Sequence, residues 1–160
     1  MEFNFLAILV AAFSTLFIGF IWYSDAVFGK IWMREAGLNK EELEKGNLAK
    51  ILILCFIFSF LLAFVLQFSV IHQFGATSLA GGDPTKALPS YANFMADYGL
   101  AYRTFKHGAL HGTLAGIFFA LPIVAINSLF ERKSWKYIAI HAGYWIVTLT
   151  VMGAIICGWV

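Results

Sequence analysis

The chain has 160 residues, of which 61% are hydrophobic and only 12% charged, and its formal net charge is +2. With a mean hydropathy of +0.79, against about 25% charged residues in soluble domains, this composition excludes a water-soluble globular fold. The near-neutral charge gives no sign of a nucleic-acid partner. Four apolar runs take up more than half of the chain, at 5–23, 48–71, 107–130 and 137–160. Each is free of Asp, Glu, Lys and Arg except for Lys50. Each is also long enough to cross a ~30 Å hydrocarbon layer as a helix rising 1.5 Å per residue. The expectation is one all-α integral membrane domain over 1–160. It would hold four transmembrane helices in a tight bundle, with a short cytoplasmic interfacial helix after the first, and its first partner is the lipid bilayer.

The first run is expected to remain as a helix, not to be removed as a signal peptide. Met1-Glu2-Phe3-Asn4 has no basic residue, and Trp22-Tyr23 stand where a small-residue cleavage site would be needed. Orientation follows from Lys and Arg in the loops. Segment 24–50 carries five and loop 131–136 carries three, against three in segment 72–106. Loops 24–47 and 131–136 are therefore predicted to be cytoplasmic, with both termini and the long second loop outward.

Along the first span Ala7, Ala11, Thr15 and Gly19 recur every four residues, a stripe of small side chains that lets another helix approach. Past Tyr23, Ser24 or Asp25 can cap an amphipathic segment with Phe28, Ile31 and Trp32 on one side and Lys30 and Arg34 on the other. It ends at Gly37. Asn39 and Glu42 then have the spacing of a capping box. The second span has its own row, Cys55, Ser59, Ala63 and Gln67. Cys55 and Cys157 belong to opposite depths, separated by about 20 Å at 1.5 Å per residue, so no disulfide between Cα atoms that must lie within about 7 Å is expected.

In the second loop, Gly81-Gly82-Asp83-Pro84 and Leu88-Pro89 signal turns. A helix from Ser90 through Phe105 is expected either to lie on the outer leaflet or, the favoured alternative, to run on into the third span. That span carries the ladder Gly108, Gly112, Gly116 and Ala120, which calls for close contact with a helix of the same chain or of a neighbouring copy. Pro122 leaves a carbonyl unpaired and should bend it near midplane. The short loop 131–136 makes the last two spans an antiparallel hairpin, and a hydrogen bond between Asn127 and His141 is predicted. Trp22, Tyr23, Trp32, Trp135, Tyr137 and Trp159 fit interfacial aromatic belts.

Two regions carry a family resemblance. Gly19-Phe20-Ile21-Trp22-Tyr23-Ser24, Phe28-Gly29-Lys30 with Trp32-Met33, and Gly37-Leu38 resemble the signature of the bacterial membrane family called domain of unknown function 1761. Leu129-Phe130-Glu131-Arg132, Ala142-Gly143-Tyr144 and Met152-Gly153-Ala154-Ile155 are similar to its C-terminal half. The resemblance implies four membrane helices and a bacterial inner membrane, with no established activity, cofactor or catalytic residues.

Two polar clusters remain as candidates for function. The inner one places Tyr23, Ser24, Asn127 and His141 at one level, where intramembrane polar groups can mark a pathway or simply bond across a hairpin. The outer one gathers Gln67, His72, His107 and His111. His107 and His111, at i and i+4, lie on one helix face and can share a metal ion, with His72 as third ligand if the loop allows. Two histidines at a helix end also serve as interfacial hydrogen-bonding residues. A bis-histidine haem would need His72 opposite His107 or His111. The sequence implies no cofactor outright, and no nucleophile with a base in reach, phosphate loop or CxxC pair points to an enzyme. Three readings follow. The first is a non-enzymatic component that forms a homo-oligomer or packs on a larger membrane protein, using small faces such as Ala11, Thr15 and Gly19 or Gly108, Gly112 and Gly116. The second is a small channel or transporter for an uncharged or weakly charged solute. The third is a metal- or haem-binding protein using the outer histidines.

Overall fold

The computed structural model describes residues 3–160, and Met1 and Glu2 of the signal-peptide argument lie outside them. Among the described residues the chain is helical without strands. It runs through α1 (Phe5–Trp22), α2 (Gly29–Ala36), α3 (Lys40–Glu44), α4 (Leu48–Val70), α5 (Gln73–Leu79), α6 (Pro89–Tyr98), α7 (Phe105–Ala115), α8 (Leu121–Phe130) and α9 (Trp135–Gly158). A π-helical turn over Gly116–Ala120 joins α7 and α8 into one rod, so four segments are long and apolar enough to cross a membrane. The π turn ends two residues before Pro122, which has no N–H to give to the carbonyl one turn back. The wider i→i+5 pattern takes up the mismatch.

Apolar helices need their first N–H groups satisfied, and each spanning rod opens on a polar cap. Asn4, Asn47, Thr104 and Ser134 accept from the N–H of Ala7, Lys50, His107 and Tyr137 respectively. α2 ends on Gly37 in the left-handed conformation (φ 75°), which costs glycine nothing. Asn39 and Glu42 form the capping box of α3. Outward positions such as Phe13, Phe17, Phe20, Phe58, Phe118 and Phe119 are exposed, the arrangement of a bundle solvated by hydrocarbon.

α9 is the hub, packing on α1, α4, α7 and α8. The glycine ladder of the third span faces it. A Cβ on Gly108 would run into the backbone of Gly153, one on Gly112 into the carbonyl of Leu149, and one on Gly116 would stand 2.6 Å from Cα of Ile146. Of the two partners open to the ladder, it takes the helix in its own chain. On α1 the stripe Ala7, Ala11 and Thr15 is buried, and Thr15 Oγ1 donates to Ser59 Oγ on α4 at 2.7 Å. Gly19 lies against the ring of Tyr144 instead of another backbone. α4 and α8 make little contact, and between them an apolar groove of about 510 Å³ opens sideways, with Leu66, Phe119, Ile123 and Trp145 among its lining.

Several expectations are corrected. Cys55 is exposed and not part of the buried row Ser59, Ala63 and Gln67, while both cysteines are free as expected. The loop helix does not run into the third span: α6 ends at Tyr98 and α7 begins at Phe105. The break has two causes. The side chain of Gln73 captures the carbonyls of Tyr98 and Ala101, and Arg103 turns away to donate to Cys157 O at 2.9 Å, at the last turn of α9. Trp22 and Tyr23 face the bundle more than the interface, with Trp22 Nε1 donating to Ile140 O at 3.0 Å.

Candidate metal centre

At the α2 end of the bundle, Tyr23 caps the C-terminus of α1 and its hydroxyl lies 3.0 Å from Nδ1 of His141 on α9. The His141 ring stacks obliquely on Tyr137, centroids 4.2 Å apart, as i and i+4 on one helix must. Tyr144 closes the other side of Tyr23 at 5.4 Å and donates to Thr15 O at 3.1 Å. Nε2 of His141 is buried without a partner.

The expected hydrogen bond between Asn127 and His141 is not made. Asn127 is exposed, and Ser128 is the buried residue of that turn. One residue along a helix rotates the side chain by roughly 100°, so placing Ser128 against the bundle turns Asn127 away from α9. Ser24 is also outside the cluster, because its hydroxyl donates back to Ile21 O at 2.7 Å. Only Tyr23 and His141 of the four inner residues meet. Sequence reasoning missed Tyr144 as a member; its position three residues after His141 on a helix was the available signal.

At the opposite end the histidines converge. α4 stops when Ile71 turns extended, and His72 sits at the N-cap of α5. Thr104 caps α7 and fixes its register, so that His107 and His111 project from one face a turn apart. His72 Nε2 and His107 Nε2 are 2.9 Å apart, and the ligand nitrogens of His72, His107 and His111 all lie within 4.8 Å of one another. The rings pack at centroid distances of 4.5 to 5.0 Å. Gln67, named with them from the sequence, is buried one level deeper and donates to Phe64 O at 2.7 Å. Cys157 is also outside the set, its Sγ turned to Val70 O at 3.2 Å.

Three imidazole nitrogens that converge in this way could hold an ion. Arms of 2.0–2.1 Å in a tetrahedral site put neighbouring nitrogens about 3.3 Å apart, a value between the 2.9 Å of the closest pair and the 4.8 Å that bounds all three. Imidazole sets suit zinc, copper, iron and nickel, and three ligands leave one position open. Tyr102, which the sequence offers only as an aromatic position of the loop helix and not as part of the cluster, packs its ring on His107 at 5.0 Å and 31°. It holds a left-handed backbone, φ 63°, that a side chain other than glycine seldom adopts, and no sequence pattern signals that.

Among known families, the model described as protein of unknown function, DUF1761, matches residues 6–157. No curated protein and no solved structure matches the chain.

Proposed function

Because the chain belongs to the DUF1761 family of proteins of unknown function, its role has to be read from its own side chains, and we propose that it holds one transition-metal ion through His72, His107 and His111. The observation that carries this reading is the convergence of three ligand nitrogens from two elements within 4.8 Å. Sequence spacing accounts for only two of them. The convergence also favours an ion over haem. A bis-histidine haem needs its two imidazoles on opposite faces of a macrocycle, whereas His72 and His107 are already at hydrogen-bond distance.

We read the site as binding, without catalysis. By the Lys and Arg count of the loops it lies on the outward face of a bacterial inner membrane, where an ion could be received from outside the cell. The oligomer or accessory reading drew on the small-residue faces, and those of the third span are taken up by α9 within the chain. The channel reading drew on paired polar clusters, of which the inner one assembles only Tyr23 and His141.

The test is metal content. Full-length protein purified in detergent, exposed to zinc and desalted, should retain about one ion per chain by elemental analysis. His107→Ala and His111→Ala should each lose it while keeping the helical circular dichroism of the wild type. Equal zinc in wild type and both variants would overturn the reading.

A further inference from the structure

Of the six tyrosines in the chain, Tyr23 alone holds its hydroxyl against a base among the described residues, with Oη 3.0 Å from Nδ1 of His141. Tyr91 faces the hydroxyl of Thr77, and Tyr144 donates to the carbonyl of Thr15. Neither partner can keep a proton. Tyr137 lays its ring on His141 but carries the Lys133 ammonium 5.5 Å over its face, a charge that opposes the loss of an electron there.

The far side of the His141 ring fixes the direction of the Tyr23 bond. Nε2 is buried without a partner. A hydrogen on Nδ1 would leave both Nε2 and the Tyr23 O–H unused, whereas a hydroxyl that donates to Nδ1 leaves over only the Nε2 hydrogen. Nδ1 is therefore an unprotonated nitrogen aimed at the phenol, and Nε2 gives a proton no way out. A phenol that loses an electron becomes a strong acid, so a tyrosine is oxidised most easily where an imidazole can take its proton in the same step.

Tyr23 is also joined to the lipid side of the bundle through ring contacts. Tyr144 lies 5.4 Å from it between centroids, and Trp145 lies 5.1 Å from Tyr144. Trp145 in turn lines the apolar groove that opens sideways between α4 and α8. An electron can pass along this path from Tyr23 to a molecule lodged in the groove.

We propose that Tyr23 is a redox-active tyrosine, on which an oxidising equivalent from radicals in the surrounding lipid comes to rest. A lipid peroxyl radical in the groove takes one electron through Trp145 and Tyr144, and with a proton from water at the membrane surface it leaves as the hydroperoxide. Tyr23 supplies the electron. Its O–H bond breaks as an N–H bond forms at Nδ1 of His141, which leaves a neutral tyrosyl radical beside an imidazolium. Because Nε2 is closed off, the proton stays within the pair.

Full-length protein in phospholipid vesicles, flash-oxidised by a ruthenium polypyridyl complex anchored in the lipid by an alkyl tail, reads this by electron paramagnetic resonance. The wild type should give a neutral tyrosyl signal whose hyperfine pattern changes when histidine is labelled with heavy nitrogen. Tyr23→Phe and His141→Leu should each lose that signal with helical circular dichroism retained, and Tyr137→Phe should keep it. Should His141→Leu fail to fold, His141→Gln, which offers a hydrogen bond without a base, is read in the same way. An undiminished signal in Tyr23→Phe or in the folded His141 variant, or a wild-type signal blind to the histidine label, would overturn the proposal. Trp145→Leu interrupts the ring path and should slow the rise of the radical. An unchanged rise would overturn the route through the groove and leave the Tyr23–His141 pair standing.

Discussion

The hydroxyl of Tyr23, at the end of α1, stands 3.0 Å from Nδ1 of His141 on α9, and this contact joins two spans 118 residues apart in the chain. Trp22 Nε1 to Ile140 O and Tyr144 Oη to Thr15 O tie α1 to the hub helix as well. Tyr23→Phe removes the hydroxyl and leaves both nitrogens of His141 without partners. Interhelical hydrogen bonds in membranes are worth roughly 1 kcal/mol, so a loss of about that size is expected. Asn127→Leu, on the exposed face of α8, should change stability by less than about 0.5 kcal/mol. Unfolding of the two variants in mixed micelles checks the pair. A larger effect from Asn127 would restore it as the partner of His141.

The glycine ladder sets the distance between α7 and α9. At Gly112 a methyl group would meet the carbonyl of Leu149 and the backbone of Thr150. Neither is the free end of a flexible side chain, so the helices themselves must separate. Gly112→Ala is expected to cost about 1–3 kcal/mol, the range for overpacked cores. Gly75→Ala in α5 has open space around it and should be neutral or gain up to about 1 kcal/mol of helix propensity. The melting temperatures of the two variants provide the contrast.

An ion bound to the folded state alone stabilises it by mass action, by about 2.7 kcal/mol at a free concentration one hundred times Kd. Zinc should therefore raise the melting temperature of the wild type in a concentration-dependent way, and His111→Ala should abolish the rise. Gln67→Leu should leave it in place, since Gln67 bonds Phe64 O and not the histidines. Thermal unfolding over a zinc series distinguishes the three proteins.

At the other end, Glu35 of α2 accepts from Ser134 Oγ at 2.6 Å, linking the two loops on that side, and from Arg34 at 3.0 Å. The Ser134 hydroxyl first, and Arg34 second, hold its carboxyl below the usual carboxylate range. A depressed pKa means that the link is present above the unfolded value of about 4.3 and is lost as pH falls through the lower folded value. Hydrogen exchange of α2 amides should accelerate below about pH 4.3 relative to the intrinsic rate. Glu35→Gln should show the faster exchange already at neutral pH, and unchanged protection in that variant would dismiss the link.

Much of this architecture is legible without coordinates because it is local. The four apolar runs and the four-residue spacing of small side chains are one-dimensional properties, set by bilayer thickness and helical pitch. Two of the three histidines are legible for the same reason, being one turn apart on one helix. The resemblance at both ends likewise depended on local aromatic and glycine patterns, and the family match covers residues 6–157.

Contacts between distant segments needed the tertiary structure, since helix rotation is set by packing on all sides at once. The sequence placed Asn127 at the depth of His141, but burial of Ser128 turns Asn127 outward and gives the imidazole to Tyr23. It offered the glycine ladder a choice of partners, and the packing of α7 on α9 made that choice. It proposed His72 as a ligand only if the loop allowed. The turn at Ile71, held by Gln73 reaching across to the end of α6, is what brings that third nitrogen beside the other two.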